Sequence, residues 1–165
     1  MKPQVATARA PFSLQLLADR PELVYAVAEI RWKEWGHAPE PEDLAYWVDV
    51  TQREAGRNDL PITFVAVDDH GAIGAVGLGQ FDIDERRDRS PWVLGMVVRA
   101  DRRGQGVGRA LMGELEAWAA ARGVVQAWVA TGPAATFYRT CGWRITEVVQ
   151  RGSGEPTTVL TKRLV

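Results

Sequence analysis

The chain contains little of what disulfide-linked, metal-binding or membrane proteins need. It has one cysteine, Cys141, and two histidines among its 165 residues. A single cysteine excludes an internal disulfide framework. His37 and His70 are isolated, with no second Cys or His at ligand spacing, so we expect no metal site. No apolar run approaches the roughly 20 residues of a membrane-spanning helix, and we expect no membrane as a partner.

A strong excess of charge of either sign is also missing. Twenty Lys and Arg against twenty-one Asp and Glu give a formal net charge of −1, which argues against nucleic acid as a partner. The N-terminal sequence MKPQVATARAPF has no apolar core of signal-peptide length, so we expect a cytoplasmic protein. The length suits one compact domain, and no repeat or linker divides the chain. We therefore expect a single α/β domain over residues 1–165.

One stretch, residues 92–121, organises the rest of the chain. An apolar run at 92–98 predicts a strand. Three alternating glycines follow it, namely Gly104, Gly106 and Gly108. A helical pattern then begins at once, with apolar residues at steps of four, four and three: Val107, Leu111, Leu115 and Trp118. The pattern therefore predicts a strand, a glycine loop and a helix.

This junction is typical of an anion-binding site. Glycine lets a ligand approach the backbone closely, and the first turn of a helix presents free N–H groups and a partial positive charge. Arg102, Arg103 and Arg109 add formal charge. The expected ligand is a phosphate or a pyrophosphate group. The alternative is that the glycines only form a tight connection between strand and helix.

Two common nucleotide motifs do not fit this loop. A Walker loop needs Gly-Lys-Ser/Thr after the glycines, and a Rossmann turn needs a third glycine at a position where this chain has Arg109 or Leu111. The pattern R-x-x-G-x-G does fit, at Arg103, Gly106 and Gly108, and it resembles the coenzyme A signature of the GNAT superfamily of N-acetyltransferases. Downstream, AATFYRTCGW is similar to that family's A-x-x-F-Y-x-x-x-G-F/W element, through Ala134, Phe137, Tyr138 and Gly142.

The resemblance covers residues 62–164 and implies an α/β fold, a central mixed sheet with flanking helices. In that fold the strands at 92–98 and 124–131 splay apart and hold the pantetheine arm of acetyl-CoA, the co-substrate, with no metal. The residues that the resemblance assigns to the cofactor are Met96, Val97 and Val98 on the first strand, Arg103, Gly104, Gln105, Gly106, Val107, Gly108 and Arg109 around the loop, and Thr131 after the second strand. Relatives often have asparagine where this chain has Thr131.

The resemblance also implies a general acid and leaves the general base open. Tyr138 is the expected acid for the departing thiolate. Relatives often have glutamate where this chain has Leu94 and Gln126, and neither of these can accept a proton. The nearest carboxylates are Asp82 and Asp84, so we expect Asp82 to act as the base through a water molecule. The alternative is that Asp82 is a solvated loop acid.

The remaining segments frame the acceptor side. We expect a short strand at 12–17 and helices that begin near Pro21 and Pro41, with residues 12–60 on the acceptor side of a 62–164 cofactor-binding core. Trp32, Trp35 and Trp47 either pack these helices together or wall the acceptor pocket. The pattern then predicts strands at 62–68 and 72–83, followed by the mixed-charge run DIDERRDRS, whose acids either stay solvated or attract a cationic amine.

Three functions remain open at this point. The first is transfer of acetyl from acetyl-CoA directly to a primary amine of a small molecule or a protein. The second is a non-catalytic domain that binds and senses acyl-CoA. The third is a nucleotide-binding regulatory fold. Aminoglycosides, polyamines, free amino acids and protein N-termini all stay possible acceptors, and a homodimer stays open.

Overall fold

The computed structural model describes residues 11–165, which form seven strands and four helices. The strands are β1 (Ser13–Leu16), β2 (Ile62–Asp68), β3 (Gly71–Gly79), β4 (Trp92–Val98), β5 (Gln126–Thr131), β6 (Arg144–Gln150) and β7 (Pro156–Arg163). The helices are α1 (Val24–Trp35), α2 (Leu44–Arg53), α3 (Val107–Ala121) and α4 (Ala135–Thr140). The assignment of residues 1–165 to one domain stays a prediction, and its first ten residues lie outside the described part of the chain.

All seven strands join one sheet, in the order β1-β2-β3-β4-β5-β7-β6. Every neighbouring pair is antiparallel except β4 and β5, which are parallel and are joined through α3. Only Trp92 and Trp128 are paired between these two strands. The strands therefore diverge beyond that pair and leave a gap toward their C-terminal ends. The mixed sheet and its splay confirm the predicted fold class.

Alternation along β2 shows how the sheet is covered on both faces. Phe64 and Ala66 belong to a core cluster with Leu111 and Leu115 of α3. Val65 belongs to the cluster on the opposite face, where α1 packs. Successive residues of a strand point to opposite faces, so a strand buried on both sides is apolar throughout. That arrangement explains the continuous hydrophobic run FVAV at residues 64–67.

Several predicted boundaries were wrong by a few residues. The strand expected at 124–131 begins at Gln126. The strand expected at 72–83 ends at Gly79, where its pairing with β4 stops at Trp92, so Asp82 lies beyond the strand. The first helix opens with a 3₁₀ turn over Pro21–Leu23, and α1 proper begins at Val24. The second helix begins at Leu44 rather than near Pro41, because the Asp43 carboxylate accepts a hydrogen bond from the Tyr46 amide at 2.9 Å and caps the helix.

Candidate active site

The gap between β4 and β5 opens into a cleft of about 650 Å³. Its walls come from the end of β4, the glycine loop, the first turn of α3 and the short helix α4. The lining residues are Glu34, Met96, Val97, Val98, Arg102, Arg103, Gly104, Gly106, Val107, Gly108, Arg109, Ala134, Phe137, Tyr138 and Thr140. The strand, the glycine loop and the AATFYRTCGW segment thus meet at one site.

The glycine loop has the backbone geometry of an anion cradle. Gly104 has φ +72° and Gly106 has φ +82°, values that side chains with a Cβ rarely adopt. A Cβ added at Gly104 would meet nothing within 4 Å, so this part of the loop borders open space. The first bond of α3 runs from the Ala110 amide to the Gly106 carbonyl at 3.0 Å. The amides of Val107, Gly108 and Arg109 therefore have no acceptor within the helix, as an anion site requires.

The three arginines near the loop have different roles. Arg103 and Arg109 line the cleft. Arg103 also donates from Nε to the Val98 carbonyl at 3.1 Å and from Nη2 to Glu34 of α1 at 2.8 Å. Arg102 is buried and forms an ion pair with Asp68 at the end of β2. Arg102 therefore anchors the loop, while Arg103 and Arg109 supply positive charge to the cleft.

Two of the predicted cofactor residues lie outside the lining of this cleft. The Gln105 side chain accepts from Arg102 Nε at 2.9 Å and donates to the Asp101 carbonyl at 3.2 Å. The Thr131 hydroxyl accepts from the Ala134 amide at 3.1 Å, just before α4. Their cofactor contacts stay predictions, and the other nine predicted residues do line the cleft.

A β-bulge marks the middle of β4. Ala75 is paired with Val97 and Gly77 with Leu94, so Gly95 and Met96 together face one residue of β3. Gly95 has φ +53°, and a Cβ there would lie 2.6 Å from Nη2 of Arg31. Arg31 Nε donates to the Gly95 carbonyl at 3.3 Å. The bulge therefore needs glycine both for its conformation and for the packing of Arg31.

On the other side of this bulge lies a smaller cavity of about 230 Å³, which we call the acceptor cavity. Its lining residues are Arg31, Trp35, Trp47, Val50, Glu54, Asp82, Leu94 and Gly95. They come from α1, α2 and its C-cap, the loop after β3, and β4. The acceptor cavity and the cleft thus flank the β4 bulge.

Asp82 reaches the acceptor cavity because the chain leaves β3 three residues earlier. It keeps more than a third of its surface exposed, yet protein atoms surround its carboxyl closely. Burial raises the pKa of Asp82 to about 6, although Arg151 opposes this rise, and the Glu54 carboxylate adds to it. Within residues 11–165 its carboxylate forms no hydrogen bond and no ion pair. Asp82 is therefore free to accept a proton.

The other acids of the DIDERRDRS run are held by arginines. Glu85 pairs with Arg151 at 3.2 Å, and Asp84, which is 89% exposed, pairs with Arg87 at 3.3 Å. Arg86 binds both carboxylate oxygens of Glu147 on β6, at 2.7 and 3.0 Å. These pairs therefore hold the loop after β3 against the β6–β7 hairpin. Among the acids of the run, Asp82 is the one that lines the acceptor cavity.

The three tryptophans divide between the two roles that the sequence leaves open. Trp32 donates from Nε1 to the Glu42 carbonyl at 3.1 Å and fixes the connection between α1 and α2. Trp35 and Trp47 line the acceptor cavity, with ring centroids 5.9 Å apart. Leu94 lines the same cavity. Gln126 instead donates to the Thr161 hydroxyl at 2.8 Å, within the sheet.

Sequence reasoning missed Glu54 and Arg31. Burial raises the pKa of Glu54, and the charge of Arg31 opposes that rise. Arg31 is 1% exposed, and its Nη1 lies 3.3 Å from both the Thr51 hydroxyl and a Glu54 carboxylate oxygen. One signal was available: Arg31 follows Val27 by four residues and so belongs to the apolar face of α1. An arginine on such a face needs a buried partner.

Tyr138 lies at the wall of the cleft with its ring almost fully buried. The ring packs edge-on against Phe137 and Trp143, with centroids 5.1 and 6.3 Å away. Burial raises the pKa of Tyr138 above its ordinary value, and the negative charge of Asp82 adds to the rise. Its hydroxyl has no hydrogen-bond partner in the described part of the chain. Tyr138 therefore stays protonated at neutral pH with its proton available.

A cleft beside an anion cradle, with a protonated phenol and a free carboxylate near a strand bulge, suits an acyltransferase of the coenzyme A-dependent class. A family model described as "Acetyltransferase (GNAT) domain" matches residues 59–145, more than half of the chain. The chain belongs to the GNAT acetyltransferase family, whose co-substrate is acetyl-CoA. No curated protein sequence is significantly similar to it.

Solved structures resemble the chain over most of its length. An aminoglycoside 6′-N-acetyltransferase complexed with coenzyme A has a TM-score of 0.76 at 17% identity, with 94% of this chain and 97% of that chain covered. Another, from Enterococcus faecium, has a TM-score of 0.72 at 16% identity, with 93% and 97% covered. A nourseothricin acetyltransferase is 28% identical over 64% of this chain and 66% of its own, with a TM-score of 0.54.

Within residues 11–165, no group of three or more His, Cys, Asp or Glu side chains could hold a metal ion. No helix in that range is long and apolar enough to cross a membrane.

Proposed function

We propose that this protein transfers the acetyl group of acetyl-CoA directly to a primary amine, of a small molecule or of a protein, held in the acceptor cavity. The observation that carries the proposal is the position of the two cavities on either side of the β4 bulge. An amine in one cavity and a thioester in the other would meet at the strand. Residues 12–60 would then shape the acceptor side, and residues 62–164 would form the cofactor-binding core.

Asp82 is the proposed general base. Its carboxyl titrates near pH 6 and is ionised at neutral pH, so it can take a proton from the attacking amine, directly or through one water molecule. Glu54 and Asp82 together also favour a cationic amine, because opposite charges attract strongly where water is partly excluded. Cytoplasmic location is part of the same proposal.

Tyr138 is the proposed general acid. As the thioester breaks, a thiolate leaves and needs a proton. A buried phenol keeps its proton at neutral pH. The burial that raises the pKa of Tyr138 would also make a thiolate formed beside it more basic, so the proton could pass from the phenol to the sulfur. The departing sulfur would receive that proton, and the amine's proton would pass to Asp82.

The experiment measures acetyl-CoA consumption with a panel of primary amines as a function of pH. For an accepted amine, kcat/KM should rise with pH through about 6 as Asp82 ionises beside Glu54 and Arg151. Asp82→Asn should remove that rise and lower kcat/KM for the amine about 10²-fold, while the KM for acetyl-CoA changes little. Asp84→Asn is the matched control, because Asp84 is exposed and lies outside the acceptor cavity.

Two results would contradict the proposal. Coenzyme A binding without turnover of any amine would favour the acyl-CoA sensor, a function that the absence of glutamate at Leu94 and Gln126 also favours. Equal losses in the Asp82 and Asp84 variants would remove Asp82 from the role of base.

A further inference from the structure

The acceptor cavity contains two hydrogen-bond donors that its protein neighbours leave unused. Within residues 11–165, Nη2 of Arg31 and Nε1 of Trp47 are buried and have no hydrogen-bond partner. Buried donors without partners are rare in folded proteins, because each loses its bonds to water on folding. Both residues line the same cavity, so one ligand could restore both bonds.

Arg31 cannot satisfy its own Nη2 by a small rotation. Its Nε is engaged by the Gly95 carbonyl, and its Nη1 faces Thr51 and Glu54, each at 3.3 Å. Nη2 lies against Gly95, where even a methyl group would lie 2.6 Å away. The guanidinium is thus fixed by its other contacts, and the missing partner must come to it.

Trp47 occupies a more adaptable position. Its ring contacts the rings of Trp35 and Tyr46, which are 41% and 46% exposed. A rotation of these partly exposed rings would present the buried indole N–H of Trp47 to an occupant of the cavity. The same two tryptophan faces supply apolar and cation–π contacts to an alkylammonium group.

The cavity therefore contains two kinds of polar group for a ligand. The unpaired carboxylate of Asp82, beside the Glu54 carboxylate that pairs with Arg31, suits an ammonium or amine nitrogen. Arg31 Nη2 and Trp47 Nε1 can only donate, so they suit an oxygen with a lone pair. Because the volume is about 230 Å³, both atoms must belong to a compact part of one molecule.

We propose that the acceptor is a primary amine with a hydrogen-bond-accepting oxygen a few bonds from its nitrogen. The nitrogen faces Asp82 and Glu54, and the oxygen accepts from Trp47 and Arg31. This inference rests on the proposed function, because it identifies the acceptor cavity as the amine site. A larger acceptor would place only its amino-alcohol or amino-ether end in the cavity.

The test compares ethanolamine and 2-methoxyethylamine with the hydrocarbon amines propylamine and butylamine, which have similar shapes. Rates are compared at equal concentrations of neutral amine, because the oxygen lowers amine basicity. The wild-type protein should prefer the oxygenated member of each pair by about tenfold or more in kcat/KM, since a site built to bond an oxygen rejects the analogue without it. Trp47→Phe should lower this ratio severalfold, because it removes one of the two donors to the oxygen and keeps an aromatic ring in the cavity wall.

Trp35→Phe is the matched control, because it removes an indole N–H from the same ring pair, and that N–H is not a buried, unpartnered donor. It should keep the wild-type preference. Calorimetric binding of the same amines to the protein saturated with coenzyme A measures the preference without turnover, so a failure of acetyl transfer is distinguished from a failure of this inference. Equal binding of both members of each pair, or a preference in Trp47→Phe as large as in the wild type, would overturn it.

Discussion

The cleft and the acceptor cavity lie on either side of the β4 bulge, but they are assembled in different ways. Most of the cleft comes from one continuous stretch, residues 96–109, with a second contribution from residues 134–140. The acceptor cavity takes residues from α1, from α2 and its C-cap, from the loop after β3 and from β4. The structure of a continuous stretch follows from the preferences of neighbouring residues, whereas a cavity assembled from separate segments depends on tertiary packing. The cleft can therefore be predicted from the sequence, and the acceptor cavity cannot.

The largest expected effect tests whether Tyr138, in the wall of the cleft, is the general acid of acetyl transfer. Tyr138→Phe removes the phenol proton and keeps the ring that packs between Phe137 and Trp143. We expect kcat for a good amine to fall about 10²–10⁴-fold, the usual range for a general acid, with coenzyme A affinity unchanged. Steady-state kinetics and calorimetry measure the two quantities. A kcat within about threefold of wild type, under conditions where chemistry limits the rate, would remove Tyr138 from the role.

The second prediction tests the cofactor side alone. A Cβ at Gly108 would lie 2.9 Å from Met96 Cε and 3.1 Å from the Phe137 ring, both in the cleft wall. Gly108→Glu adds this crowding and a negative charge at the helix start where a pyrophosphate would bind, so we expect coenzyme A affinity to fall about 10²–10³-fold. Gly113→Glu is the control, because Gly113 is exposed on the same helix and its Cβ would meet nothing within 4 Å.

Circular dichroism must show that both glycine variants are folded. If a folded Gly108→Glu variant binds coenzyme A as tightly as Gly113→Glu, the anion cradle is not where the cofactor binds. The crowding at Gly108 falls on Met96 and Phe137, so the variant acts through packing in the cleft wall as well as through its negative charge.

These contrasts show which parts of the fold and of the candidate site can be predicted from the sequence. The limits of β4, the glycine turn and the face of α3 follow from local rules, since positive φ at Gly104 and Gly106 and a helical apolar repeat are properties of neighbouring residues. Tyr138 was found because it lies in a short motif. The position of Asp82 at the acceptor cavity depends on where β3 ends, which no local motif specifies.

Glu54 and Arg31 mark the limit of the same reasoning. Glu54 is the C-cap of α2, where an acid is ordinarily solvated, and only the packing of α1 against β4 brings Arg31 beside it. The mixed-charge run shows the same dependence: its pairing with Glu147 joins residues about sixty positions apart. No local sequence pattern indicates that residues so far apart in the chain form a pair.

The third prediction concerns the contact that joins the two regions. Glu34 of α1 holds Arg103 of the glycine loop at 2.8 Å, and both side chains are partly exposed. Glu34→Gln should free Arg103 for an anion and tighten coenzyme A binding about two- to fivefold, because an exposed ion pair contributes up to about 1 kcal/mol. Glu29→Gln is the control, since Glu29 pairs with Lys33 on the same helix at 3.0 Å.

Calorimetry at low and high salt measures this gain. The gain should shrink as salt screens the charges. Weaker binding in Glu34→Gln would mean that the pair positions Arg103 for the cofactor instead of competing for it.

The smallest expected effect concerns stability on the acceptor side. The folded protein holds a proton on Asp82 up to about pH 6, whereas the unfolded chain loses it near the ordinary value of 3.8. Between these values the folded state binds more protons, so the free energy of unfolding falls as pH rises. Glu54, with a pKa also raised by burial, contributes in the same direction and is present in both proteins. Asp82→Asn should therefore be more stable than wild type at pH 7, and this difference should shrink toward pH 4.

Because Asp82 is more than a third exposed, water screens its charge, and we expect a rise in Tm of only about 1–2 °C at pH 7. Thermal melts of both proteins between pH 4 and pH 7 measure the difference, with Asp84→Asn as the control for removing one exposed carboxylate. A variant that gains stability and loses acetyl transfer would identify Asp82 as a group held in an unfavourable state for its chemistry. An equal Tm for Asp82→Asn and wild type across this pH range would contradict the raised pKa, and the proposed base would then need another activating environment.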